Sequence, residues 1–246
     1  MFDALFTTTT EYKKLSHALS GKGACALFGL PASGRAQVYA ALCRQLDKPL
    51  CIVTPGEAEA TRFAADLNTL GIPAAVFPAR DYVLRPIEGT AREYEYRRLA
   101  VLGELVGGRL RAVAVPAEAL TQFTTPKEDF CANTRTLHTG DTLLRDDLLA
   151  ALFGAGYTRR AQVDGPGQFS VRGDIVDIFA PDQKIPVRME FWGDEIDTLH
   201  TFDLTTQRRE DAIDKFYLSP AREVLFGKPA DAAEQLRAFL AKQRGK

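Results

Sequence analysis

The sequence predicts an α/β protein in two parts: a parallel-sheet domain built around a degenerate phosphate loop, followed by a smaller α+β domain. Three observations carry this. Between residues 24 and 115, short apolar runs alternate with amphipathic stretches at helical spacing, the pattern of a mainly parallel sheet covered by helices on both faces. A glycine-bracketed turn, Gly29 to Gly34, separates the first run from the first helix, which is the setting of a phosphate-binding loop. From Thr134 onward the pattern becomes short strands and turns around one helix, as an antiparallel sheet with a helix on one side requires.

The chain of 246 residues can bury two modest cores. Its 31 basic and 32 acidic residues leave a net charge of −1. A domain that grips nucleic-acid phosphates along its length carries a basic excess, so autonomous nucleic-acid binding is disfavoured. Cys25, Cys43, Cys51 and Cys131 form no C-x-x-C pair, and three lie in apolar runs; buried free thiols in a reducing compartment are expected. His17, His138 and His200 are scattered, so no metal site is expected. The N-terminus lacks a basic segment followed by an apolar one, and no run is long enough to cross a bilayer. The expected location is the cytoplasm, with no membrane partner.

In order along the chain, residues 24–30 read as a buried strand and residues 36–45 as a helix. Gly29 and Gly34 bracket four residues, as in G-x-x-x-x-G-K-[ST], but the next two positions are Arg35 and Ala36. The motif's lysine is a compact charge that reaches the phosphates, whereas arginine is forked. Ala36 has no hydroxyl to hold magnesium. The strand at 111–115 runs into Pro116 without a Walker B carboxylate, and Asp194-Glu195 falls in a hairpin turn. The loop reads as a phosphate cradle whose chemistry is gone, with no catalytic residue and no cofactor. Residues 49–54 and 74–77 are the next strands. Residues 57–70 form a helix with Ala60, Phe63, Ala64 and Leu67 on one face. Thr90 and Glu93 make a capping box for a helix carrying Leu99, Leu102, Leu105 and Val106, stopped by Gly107-Gly108. A first domain over residues 1–127 follows, its end marked by the polar stretch 124–129.

The second domain, residues 128–217, has a strand near 134–138 and a helix near 145–153 with Leu148, Leu149, Leu152 and Phe153 on its apolar face. Residues 171–179 hold one or two strands, and 187–202 a hairpin around Gly193-Asp194. Along the first arm of that hairpin, Val187, Met189 and Phe191 point one way and Arg188, Glu190 and Trp192 the other. The second set puts the only tryptophan beside an arginine. Interfaces select that pair for its large contact area at fixed geometry. The plainer reading has Trp192 capping a small core and Arg188 paired weakly with Glu190. For Arg172, the plainer reading is a turn-stabilising side chain before Gly173. Residues 218–246 begin a further segment, with a helix expected over 231–243.

The run GQFSVRGDIVDIFAP with PVRMEFWGDEIDTLHTFDLTTQRR resembles domain 2 of the UvrB-like module in bacterial transcription-repair coupling factors (Mfd). The resemblance implies a RecA-like first domain (1A), a second domain that docks UvrA, the damage-recognition subunit of nucleotide excision repair, and the start of domain 1B at residue 218. By motif position it implies UvrA contacts at Arg172, Arg188, Glu190 and Trp192. Ser170 departs from UvrB, which has an arginine there. UvrB also carries a long DNA-inserting hairpin before the helix that follows Thr90. Here only Asp81, Tyr82 and Tyr94 retain its character, which favours the coupling factor over UvrB. The expectation is a UvrA-recruiting adaptor without ATPase activity. It reads as an excised N-terminal piece or a short paralogue, with RNA polymerase and DNA contacted only by domains not present. The rivals are a P-loop NTPase or helicase fragment and a nucleic-acid-binding domain.

Overall fold

The computed structural model describes residues 7–21, 24–46, 48–80 and 91–225, together with Glu234, Arg237 and Ala241. The chain divides into two compact units, Met1–Tyr82 with Glu104–Phe123 and Val83–Gly103 with Thr124–Lys246.

The first unit opens with α1 (Thr10–Ser20), which the sequence reading did not anticipate. Its N-cap Thr9 accepts a bond from the Tyr12 N–H at 3.3 Å, satisfying one of the orphan donors of a first turn. Tyr12 packs on Val38, Ala41 and Leu42 of α2 (Ala32–Gln45). Strand β1 (Leu50–Thr54), helix α3 (Glu57–Thr69) and strand β2 (Ala74–Val76) follow. Strand β3 (Ala112–Pro116) lies between β1 and β2, parallel to both. All five of its residues are buried, as an apolar central parallel strand should be. The α3 face Ala60, Phe63, Ala64 and Leu67 is buried as its spacing predicts, in one core with Ala36, Ala40, Cys43, Ile52, Ala112 and Ala114.

Three expectations fail in this unit. Residues 24–28 form no strand: they are irregular and exposed, Phe28 to 87%, and Gly29 turns the chain at φ +81°. An apolar run states a preference for burial but names no neighbour to take its N–H and C=O groups. Here β1 and β2 occupy both sides of β3, and no described strand pairs with 24–28. The sheet is also not covered on both faces throughout. Along β1, Ile52 and Thr54 are buried while Cys51 and Val53 are exposed. The cysteines are free, but only Cys43 is buried; Cys25 lies on the unpaired run, Cys51 on the open face of β1, and Cys131 is exposed too.

Helix α4 (Ala91–Val106) ends in a Schellman cap, with Gly108 at φ +67° and the Arg109 N–H donating to the Glu104 carbonyl at 2.9 Å. Thr90, the expected cap at its start, lies outside the described residues, as do Asp81 and Tyr82. Helix α5 (Ala117–Leu120) then closes the first unit.

The second unit takes α4 through Gly103 and then α6 (Lys127–Ala132), β4 (Arg135–His138) and α7 (Arg145–Gly154). A six-stranded sheet follows in the order β10-β9-β8-β7-β6-β5. Its strands are β5 (Thr158–Arg159), β6 (Gln168–Arg172), β7 (Ile175–Phe179), β8 (Val187–Trp192), β9 (Glu195–Phe202) and β10 (Arg209–Ala212). β5 and β6 are parallel; every other neighbour pair is antiparallel. β11 (Lys215–Leu218) pairs separately with β4. Two Gly-Asp turns set the meander: Gly173 at φ +60° joins β6 to β7, and Gly193 at φ +62° joins β8 to β9. A two-residue hairpin loop with glycine first is what the right-handed strand twist accepts. Leu148 and Leu152 of α7 cover one sheet face, against Phe169, Val176, Ile178, Met189, Ile196 and Leu199. Of the helix expected over 231–243, only the three single positions are described, all helical.

Within this unit the guanidinium of Arg98 on α4 meets the carboxylate of Glu223 in a fully buried pair, Nη2 to Oε1 at 2.8 Å and Nε to Oε2 at 2.9 Å. The Glu223 N–H in turn donates to Glu95 Oε1 at 2.9 Å. Removing one partner of such a pair leaves the other charge buried without its forked counter-ion. Arg98→Met should therefore cost about 3–5 kcal/mol, read as a lower urea midpoint for the second unit; an unchanged midpoint would show that the pair holds nothing in place.

Candidate partner-binding surface

The sheet of the second unit has one face on α7; the other is covered in part by a small cluster of Val163, Phe179 and Phe202 and is open toward the Gly-Asp turns, where Trp192 stands. On β8, Val187, Met189 and Phe191 are buried, and Arg188, Glu190 and Trp192 take the other face, as the alternation predicts. The antiparallel register then builds the surface. Asp177 of β7 lies directly opposite Arg188 on one side and Ser170 of β6 on the other.

Asp177 is the centre of the arrangement. It is 1% exposed. Its Oδ1 accepts from Arg188 Nε at 2.7 Å, and its Oδ2 accepts from Arg188 Nη2 at 3.0 Å and from Arg172 Nη2 at 2.6 Å. The third nitrogen of Arg188, Nη1, donates to the Gln207 carbonyl at 3.2 Å, and its guanidinium carbon sits 4.8 Å above the Phe202 ring. The hydrogen bond to Asp177 raises the Arg188 pKa further, against the opposing effect of partial burial, so this side chain stays cationic.

These contacts correct the interface reading at one point and the plainer reading at another. The strip is not uniformly open. The Arg172 side chain is 47% exposed and Trp192 82%, but the Arg188 side chain only 12%. Nor does Arg188 pair with Glu190. Glu190 is ion-paired with Arg209 of β10 and accepts from Thr198 Oγ1 at 3.3 Å. The reason is spacing: residues two apart on a strand are about 7 Å apart, farther than direct cross-strand neighbours at about 5 Å. Arg172 does more than brace a turn, since it reaches back along β6 to Asp177. Ser170 is 1% exposed, and its Oγ has no partner among the described residues.

Trp192 does not touch this network. It stands at the far end of β8, four residues or about 13 Å of strand from Arg188, beside the Gly193-Asp194 turn. The surface thus offers an immobilised cation cluster and an exposed indole. Within the ion-paired cluster, Arg172, Arg188 and Arg209 stand against Asp177 and Glu190, while exposed Glu195 lies opposite Trp192 at the indole end. Sequence reasoning missed Asp177, although a signal was present: it is the one charged residue inside the apolar run Ile175-Val-Asp-Ile-Phe179, and a lone anion there demands a cation from a neighbouring strand.

The segment Gly29 to Ala36 is arranged differently. Pro31 caps α2, so Gly34, Arg35 and Ala36 lie within the helix, and the Arg35 N–H is already bonded to the Pro31 carbonyl at 3.0 Å. The Arg35 side chain turns to α3, with Nη1 3.5 Å from Glu59 Oε1 and its guanidinium carbon 5.5 Å from the Phe63 ring centre. Ala36 is 2% exposed in the core. Gly29 is in the exposed bend before the helix. The adjoining cleft of about 230 Å³ is walled by Leu15, Leu27, Leu30 and Val38 beside Gly34. Among the described residues no group of His, Cys, Asp or Glu side chains has the arrangement of a metal site, and no helix is long and apolar enough to cross a membrane.

Residues 136–224 match the family model described as the UvrB interaction domain. The chain is 37% identical over 219 residues to a transcription-repair-coupling factor of Mycobacterium tuberculosis, covering 85% of this chain and 18% of that protein. It is 35% identical over 208 residues to the one from Myxococcus xanthus, covering 80% and 17%. It is 28% identical over 226 residues to UvrABC system protein B of Chlorobium limicola, covering 86% and 32%. The chain therefore spans less than a fifth of the length of these coupling factors.

The burial difference separates two substitutions. Trp192→Ala should leave stability within about 0.5 kcal/mol of the parent, as an exposed site does. Arg188→Ala leaves Asp177 buried with one arginine fewer and should cost about 2–3 kcal/mol. Urea unfolding of both variants checks this; equal midpoints would contradict the placement of Arg188.

Proposed function

We propose that this chain, which carries a UvrB interaction domain and resembles the UvrB-like module of transcription-repair coupling factors, serves transcription-coupled nucleotide excision repair by recruiting UvrA. The observation that carries this reading is the outward sheet face: Trp192, 82% exposed, and Arg172, 47% exposed on its side chain, are held on a rigid antiparallel scaffold inside the matched domain. An aromatic and an arginine fixed in this way are the residue types that dominate interface energetics. The exposed Arg172 guanidinium favours an acidic group at the matching point of the partner surface. Contacts to RNA polymerase and to DNA belong, on this reading, to the parts of a coupling factor beyond the stretch matched here.

The first unit is, in the same proposal, a RecA-like domain without its nucleotide chemistry. The Arg35 side chain is engaged by Glu59 and Phe63, Ala36 brings no hydroxyl for magnesium, and the neighbouring cleft is walled by leucines. An apolar wall gives a triphosphate nothing in exchange for its hydration. The chain acts as an adaptor, not an enzyme.

Two measurements test the proposal. Immobilised chain should retain purified UvrA, and Trp192→Ala should abolish the retention at an unchanged melting temperature; full retention by that variant would remove the indole from the interface. Titration with ATP and magnesium should give no binding heat and no phosphate release. Saturable binding would restore the reading as an NTPase fragment.

A further inference from the structure

Resting on that reading of the surface, we infer that Asp177 is a positioning residue: its buried carboxylate divides two arginines into an anchored one and a presented one, so that Arg172 and not Arg188 delivers the charge the partner meets. The resemblance alone treats both arginines as contacts. Their geometry does not. Each nitrogen of Arg188 makes a bond, two to Asp177 and one to the Gln207 carbonyl, so three of its five N–H donors are engaged, and its guanidinium stacks on Phe202. With 12% of its side chain exposed, it has little left to offer a second protein. Arg172 commits one nitrogen, Nη2, to Asp177 Oδ2; among the described residues its other donors take no protein partner, and 47% of the side chain faces solvent.

The division of roles follows from charge and from stiffness. One carboxylate against two guanidiniums neutralises one positive charge. The buried arginine takes the larger share of the carboxylate, so the uncompensated charge stands at the rim, on Arg172. A free arginine loses rotamer freedom when it binds; the 2.6 Å bond to Asp177 places that loss in folding instead. A planar fork held at a fixed angle suits a partner carboxylate, which takes two parallel N–H bonds. The partner chemistry implied is an acidic side chain close to a recess that takes the Trp192 indole.

In the full chain, Asp177→Asn keeps the side-chain shape and removes the charge. The expected result is a roughly tenfold weaker complex with purified UvrA, and almost no further loss when the same substitution is made in an Arg172→Ala background, because the group it acts through is already gone. An equal loss in both backgrounds would overturn the inference and leave Asp177 as a general determinant of folding. If Asp177→Asn does not fold, Arg172→Lys decides: it keeps the charge and loses the fork, and retained affinity would overturn the inference. A readout without any partner separates this inference from the proposed function. Arg172 guanidinium N–H resonances in the free parent chain should show restricted rotation, and free rotation would overturn the assignment even where UvrA binds. Restricted rotation without UvrA binding would sink the recruiting function and leave the positioning role standing.

Discussion

A single carboxylate inside an apolar strand constrains the outward face of the second unit. Asp177 is 1% exposed, and a charge in that position survives only if paired and hydrogen-bonded. Its two oxygens accept three N–H bonds from Arg172 and Arg188. That requirement fixes the rotamers of both arginines, lays one of them over Phe202, and leaves the other at the edge of the sheet. Around it, Glu190 is bound to Arg209, so the second anion is taken up without competing for Arg188. The result is a charged surface whose parts have little freedom left to lose.

The register that brings these groups together is set by the Gly-Asp turns. With Gly173 and Gly193 both at positive φ, the hairpins close with two-residue loops, and a slip by one residue would turn every side chain of β7 and β8 to the opposite face. Val176, Ile178, Met189 and Phe191 would then meet water, and Asp177 and Arg188 would face α7. The core formed with Leu148 and Leu152 therefore specifies the outward surface as firmly as the inward one. In the first unit the same physical logic fixes Arg35. The helix that begins at Ala32 takes up the Arg35 N–H, and α3 takes up its side chain.

Much of the second unit was legible because its signals are local. The turns, the alternation along β8 and the Leu148–Leu152 part of the α7 face each lie within a few residues of sequence, and so does the Ala60–Leu67 face of α3, although Phe153, expected on the α7 face, is 55% exposed. What escaped depends on partners distant in the chain. Whether Arg188 meets Glu190 or Asp177 is decided by strand register, and the buried pairing of Arg98 with Glu223 joins positions 125 residues apart. The run at 24–28 misled for a related reason: its composition promised burial, but a strand exists only with a neighbour, and no described strand pairs with it. At the candidate surface, alternation along β8 singled out Arg188 and Trp192, and the family resemblance added Arg172 and Glu190. Only the fold shows that the arginines differ in exposure and that both bond Asp177.

The central claim, that the outward sheet face of the second unit docks UvrA through Trp192 and Arg172, is tested most directly by oxidative footprinting of the chain with and without UvrA. Trp192 is the sole tryptophan in the sequence, so its modification is read without ambiguity. The account predicts that UvrA shields the Trp192 indole from oxidation while leaving exposed Phe28 in the first unit as reactive as before. An indole equally oxidised in the presence of saturating UvrA, or protection confined to the first unit, would contradict it.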